Sequence, residues 1–125
     1  MDEQGALIFA HIMMAVSTLM PGIIMKSIDL DSPNKLMGYR TPWSMKSKHT
    51  WRYANSKSAE YILWMALVTI TIQIATFFLL DPLTSIMIAA GALILGLAAV
   101  MIITEKGLRK NFDKDGDPRL DADRF

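Results

Sequence analysis

Apolar residues fall along this chain in three long runs, not in a short alternation. Residues 5–25, 62–80 and 83–103 extend for 21, 19 and 21 positions without a single Asp, Glu, Lys or Arg. A helix on the surface of a soluble core would carry charged residues along one face, and these runs carry none. At ~1.5 Å per residue each reaches about 30 Å, the thickness of a bilayer's hydrocarbon layer. The pattern therefore predicts three transmembrane helices. Only Asp81-Pro82 separates the second from the third, which forces them into an antiparallel hairpin.

The first and second runs are joined by a polar segment over residues 33–55, PNKLMGYRTPWSMKSKHTWRYAN. It holds two of the three tryptophans and five of the thirteen basic residues, too particular a composition for a spacer. Gly38 suits a positive φ or a close backbone approach, so Gly38-Tyr39-Arg40-Thr41-Pro42 reads as a fixed turn. Pro42 holds Thr41 extended, and the Ser44 hydroxyl is placed to cap a short helix over residues 44–55. Lys48, Trp51, Asn55 and Ser58 share one face of it, and Lys46, Tyr53 and Lys57 another. With Trp43 and Trp51 at the interface and lysines reaching outward, this helix suits the headgroup layer. A break near Ser56-Lys57-Ser58 would divide it from the second span. The expected fold is all-α: an integral membrane protein of three transmembrane helices plus a short interfacial cytoplasmic helix, with a membrane domain over 1–104 and a polar tail over 105–125.

Pro33-Asn34-Lys35-Leu36-Met37-Gly38-Tyr39-Arg40-Thr41, then Ser44-Met45-Lys46, Thr50-Trp51 and Ala54-Asn55, with two apolar spans following, resemble the signature loop of the SdpI family of bacterial membrane proteins. The resemblance covers roughly residues 6–104. It implies a multi-pass protein of the bacterial cytoplasmic membrane. The family's named member is an immunity protein against a secreted killing peptide that also sequesters a transcriptional repressor at the membrane. That protein is larger, with a further membrane-embedded half ahead of this region, so the fold carries over better than the immunity role.

Charge adds an orientation. Residues 26–58 carry seven Lys/Arg and two Asp, and the stretch from Glu105 carries six basic residues, while the N-terminus and Asp81-Pro82 carry none. The positive-inside rule then puts the N-terminus outside and both the signature loop and the C-terminus in the cytoplasm. The first run follows Asp2 and Glu3 and precedes no small-x-small cleavage site, so it reads as a retained span and not a secretion signal. With no cysteine, disulfides and thiol chemistry are excluded.

Few residues carry candidate chemistry. His11 and Gln73 lie six and seven residues inside the outer ends of their spans, at similar depth, and are expected to pair. Pro21-Gly22 should kink or end the first helix. Asp29 and Asp31 read as solvated or paired with a signature-loop Arg or Lys, and Arg40 is a candidate partner for Glu60. Ser85, Ala89, Ala92, Gly96 and Ala99 form a small-residue stripe for close packing on span one, span two or a second copy. Asp113-Lys114-Asp115-Gly116-Asp117 resembles an EF-hand opening, but its glycine and following residues are misplaced for one, and the tail reads as solvated with a turn at 114–118. No metal site, cofactor or catalytic constellation is expected, so the chain reads as a non-enzyme.

Two functions remain in view. In the first, Gly38, Tyr39, Arg40, Thr41, Trp43, Trp51 and Asn55 form a platform for a cytoplasmic partner such as a repressor, or fix the helices so that an outer surface meets a peptide toxin. Arg40 leads this set, since its guanidinium suits carboxylates, phosphates and aromatic faces. The same residues would serve equally to lock the loop to the helix ends. In the second, a homo-oligomer forms a small-ligand transporter or channel, with His11, Gln73 and the threonines along a polar path. The expected partners are the lipid bilayer, a peptide or repressor and further copies of the chain, with no direct contact to nucleic acid.

Overall fold

The structure, a computed structural model, describes residues 1–31 and 36–120. Pro33, Asn34 and Lys35 of the signature segment lie outside the described residues. Those described form three α-helices and no strand: α1 (Glu3–Lys26), α2 (Lys48–Leu79) and α3 (Pro82–Asn111). All three are long and apolar enough to cross a membrane.

Each helix begins on a side-chain cap. The Asp2 carboxylate accepts the Gly5 N–H at 2.7 Å, and the Asp81 carboxylate accepts that of Thr84 at 3.0 Å with Pro82 in the first turn. Those Thr84 bonds hold the Asp81 carboxyl below its usual range. Pro21 does not end α1, which continues to Lys26. Gly22 lies so close to α2 that an added Cβ would stand 2.6 Å from Leu63 Cδ2, so the turn after the proline is held by packing.

The separate interfacial helix over 44–55 is absent among the described residues; residues 48–55 form the first turns of α2 and 44–47 a turn and cap ahead of it. From Trp43 to Leu80 the chain contains neither Gly nor Pro, so nothing stops the helix at Ser56-Lys57-Ser58. Ser58 is instead fully buried in it. The cap is Ser47, three residues beyond the expected Ser44, in a reciprocal capping box with Thr50.

Packing is arranged for lipid, with α2 in the middle and most extensively applied to α3. Small and polar residues face inward, including Thr18, Ala66, Thr69, Ser85 and Ala89, while Trp64, Phe78, Ile94 and Leu95 face outward. The small-residue stripe of α3 is turned to α2 over much of its length. Ser85 and Ala89 are buried, and a Cβ on Gly96 would strike the Met65 side chain; Ala99 at the stripe's end is exposed.

The stretch read as a solvated tail opens as the last turns of α3 and then folds back. Phe112 and Pro118 bridge, and Asp113 Oδ1 accepts the N–H groups of Asp115 and Asp117 at 2.9 and 3.0 Å. Those N–H groups hold the Asp113 carboxyl below its usual range. Gly116, at φ +86°, is buried against the start of α2: its carbonyl accepts the Ser47 hydroxyl at 2.6 Å, while Lys46 Nζ donates to Lys114 O at 2.7 Å.

Candidate functional site

At the end of the molecule where the connecting loop meets α2 and α3, the signature residues form a hydrogen-bonded knot. Trp51 and Asn55, one turn apart on α2, are both fully buried. Asn55 Oδ1 accepts the Tyr39 N–H at 2.7 Å, and its amide donates to Trp51 O at 3.0 Å and Tyr39 O at 3.4 Å. The Trp51 indole donates to Asp29 O at 3.0 Å and so ties down the exit of α1. Gly38 crosses this pair at φ +111°, where a Cβ would stand 2.7 Å from Asn55 Oδ1 and 2.9 Å from Trp51 Cη2. Only glycine meets both the backbone angle and the space.

The turn that follows is closed by hydroxyls. Ser44 Oγ accepts the Thr41 N–H at 2.8 Å and lies 2.9 Å from Tyr39 O, while Thr41 Oγ1 accepts the Ser44 N–H at 3.2 Å. Thr50 Oγ1, already part of the α2 cap, lies 3.1 Å from Ser44 O. The Tyr39 ring reaches α3, where its hydroxyl donates to Glu105 Oε1 at 2.9 Å. Burial pushes that hydroxyl well above the usual phenol range, and the neighbouring Glu105 carboxylate adds to the shift. Trp43 takes Lys46 Nζ at 3.7 Å from its ring centre and the Arg109 guanidinium at 5.5 Å.

Arg40 stands apart. It is exposed and has no hydrogen-bond or ion-pair partner among the described residues. The expected pair with Glu60 does not form; Glu60 lies 3.9 Å from Lys57. Nor does Arg40 stack on Trp43, whose faces go to Lys46 and Arg109. Asp31 does meet a signature-loop arginine, Arg52.

A second polar node lies toward the other end of the bundle. Gln73 Nε2 stands 2.9 Å from both His11 Nδ1 and His11 O, so the two residues meet as their depths predict. His11 Nε2 lies 3.0 Å from Pro82 O, and a carbonyl only accepts. The imidazole is therefore protonated at Nε2, leaving Nδ1 to accept from the Gln73 amide. One ring thus joins all three helices. Ser85 Oγ adds a bond to Gln73 O at 3.1 Å, and the Phe77 and His11 rings meet at a near-right angle with centres 4.8 Å apart. Gln73 Oε1 is left buried without a partner among the described residues.

Sequence reasoning missed Ser44 as a hub, Ser47 and Thr50 as the cap, and Glu105 and Arg109 as partners from α3. The Ser47-x-x-Thr50 spacing was a readable capping signal. The α3 partners had none, because their contacts span more than sixty residues of chain.

The model of the SdpI/YfhL protein family matches residues 31–105, more than half of the chain. The chain belongs to this family. Neither a curated protein nor a solved structure matches it. The SdpI/YfhL match begins at Asp31, which pairs with Arg52 on the surface, and ends at Glu105, which takes the Tyr39 hydroxyl of the knot. The SdpI/YfhL stretch thus contains Gly38, Tyr39, Thr41, Trp43, Trp51 and Asn55, whereas Asp29 and Arg109, which contact Trp51 and Trp43, and His11 lie outside it. With three apolar helices and this membership, the chain is a membrane protein.

Proposed function

We propose that this chain is a non-enzymatic binding and signalling protein of the bacterial cytoplasmic membrane, protecting against a secreted peptide toxin and acting through a cytoplasmic partner. The observation that carries the reading is the exposure of Arg40. Of the seven signature residues singled out by sequence, six are at least partly buried within the knot and Arg40 alone is exposed. The knot presents its guanidinium on a fixed turn, where it suits an acidic surface on a partner such as a repressor.

The basic residues of the loop and the α3 terminus support placing this end in the cytoplasm and the Asp81-Pro82 turn outside. A transporter or channel built from several copies would need His11 and Gln73 along a polar path. Their closure on each other and on Pro82 supports the binding reading instead. Since the small-residue stripe is largely spent on α2, association of copies would use the exposed apolar faces. Nothing in this reading requires a cofactor or contact with nucleic acid.

The test is survival of a sensitive bacterial host expressing the chain or its Arg40→Ala variant under challenge by secreted killing peptides. Protection by the wild type and its loss in a normally inserted variant is the expected result. Equal sensitivity of both strains would remove the immunity role.

A further inference from the structure

A cavity of about 280 Å³ opens between the first turns of α2 and the C-terminal hairpin. Tyr53 and Phe112 wall it, their rings packed edge to face at 5.5 Å, with Pro118 beside them. His49, Arg52, Ser56 and Lys57 line the rest. These four project from the same side of α2 as Tyr53 because they stand three or four residues from it or one residue to its side. The site therefore combines an aromatic wall with two cations, an imidazole and a hydroxyl. The charges already present are Asp31 against Arg52 and Glu60 against Lys57, and both pairs lie in the open; the side chains of Arg52 and Asp31 are 60% and 78% exposed. Exposed ion pairs exchange readily for other partners.

We propose that this cavity is a binding site for a soluble phosphomonoester carried on a small flat apolar group, with the Asp31 carboxylate as the internal occupant that it displaces from Arg52. A second carboxylate would only replace like with like. A phosphomonoester brings up to two charges and three acceptor oxygens, enough to engage Arg52, Lys57 and the Ser56 hydroxyl together while its apolar body lies on Tyr53 and Phe112. The volume suits a single ring, at the lower edge of small-molecule sites.

A membrane lipid is the other source of a phosphate, and depth disfavours it. Counting back from residue 62 at ~1.5 Å per residue, Lys57 stands about 8 Å and His49 about 20 Å beyond the hydrocarbon edge. The headgroup layer is only ~5–8 Å thick on each side. Lipid phosphates therefore reach the rim at Lys57, and the rest of the site opens to the aqueous phase. Arg40 takes no part, so this site stands or falls separately from the function proposed above.

The experiment is titration of phenyl phosphate against the full chain in nanodiscs of neutral lipid, followed by calorimetry and by ring-proton saturation transfer. Binding is expected, with inorganic phosphate at least ~10-fold weaker for want of the apolar contact. Asp31→Asn removes the internal competitor and should tighten binding several-fold; Arg52→Gln should weaken it ~10-fold or more. Both side chains are exposed, so both variants should keep the fold, checked by helical circular dichroism. Absence of binding, or equal affinity in all three proteins, overturns the proposal. Loss of phenyl phosphate binding when the nanodiscs contain anionic lipid would identify the occupant as a lipid headgroup and overturn it as well.

Discussion

The knot at the loop end and the node around His11 are both buried, polar and built from few residues, yet the hydrogen bonds serve opposite masters. In the knot, side chains satisfy backbone: Asn55, Ser44 and Thr41 accept N–H groups of an irregular segment that has no helix to use them. In the node, backbone satisfies side chains: Pro82 O and His11 O, already within helices, take second bonds from His11 and Gln73. The first arrangement makes a non-helical path possible. The second disposes of polar groups in hydrocarbon and, in doing so, fixes how three helices sit. An apolar replacement should therefore be tolerated in the node and not in the knot.

The largest break of this contrast is Trp51→Ala, which empties a fully buried site and frees Asp29 O; a loss of about 3–5 kcal/mol is expected from unfolding in mixed micelles. Asn55→Leu keeps the volume but strands the partly buried Tyr39 N–H beside a buried side chain, and about 2 kcal/mol should go in the same assay. Gln73→Leu sharpens the comparison from the other side. It removes the donor to His11 together with the unpartnered Oε1, and the change should stay near 1 kcal/mol, in line with polar contacts between membrane helices. If Asn55→Leu proved milder than Gln73→Leu, the contrast would fail. Arg40→Ala, outside both clusters, should shift stability by no more than about 0.5 kcal/mol, so any loss of protection is read as lost binding.

The smallest effect concerns the hairpin beside the knot. Folded Asp113 has its carboxyl depressed below the ordinary value of 3.8, so its contribution is complete above that value and is lost as pH falls through the lower, folded one. The amide shifts of Asp115 and Asp117 followed by NMR below pH 4 should move together while those of Tyr39 hold still. Joint movement of all three would mean that hairpin and knot open as one unit.

Much of this was legible in the chain. The three runs without charge located the spans, because hydrocarbon tolerates few alternatives, and similar depth from neighbouring ends of their runs paired His11 with Gln73. Of the two readings of Asp31, solvated or paired with a signature-loop Arg or Lys, the structure shows the pair, with Arg52. The cap was misplaced at Ser44 because a hydroxyl before a helix looks the same whether it caps or closes a turn; only the reciprocal Thr50 distinguishes Ser47. The expected break at Ser56-Lys57-Ser58 failed since serines are only mildly unfavourable inside a helix and Ser58 is held by packing. The docking of the last described residues had no local signal at all: Gly116 fits against Ser47 by shape, across 69 residues of chain.

The uninterrupted course of α2 carries one more consequence. At 32 residues it is about 48 Å long, and it bears Trp51 and Asn55 near one end and Gln73 near the other. The two polar clusters are thereby set in angular phase, like marks on a single shaft. One residue inserted between Ser56 and Glu60 would turn one mark by about 100° against the other, so that either the loop or the three-helix contact could keep its bearing, but not both.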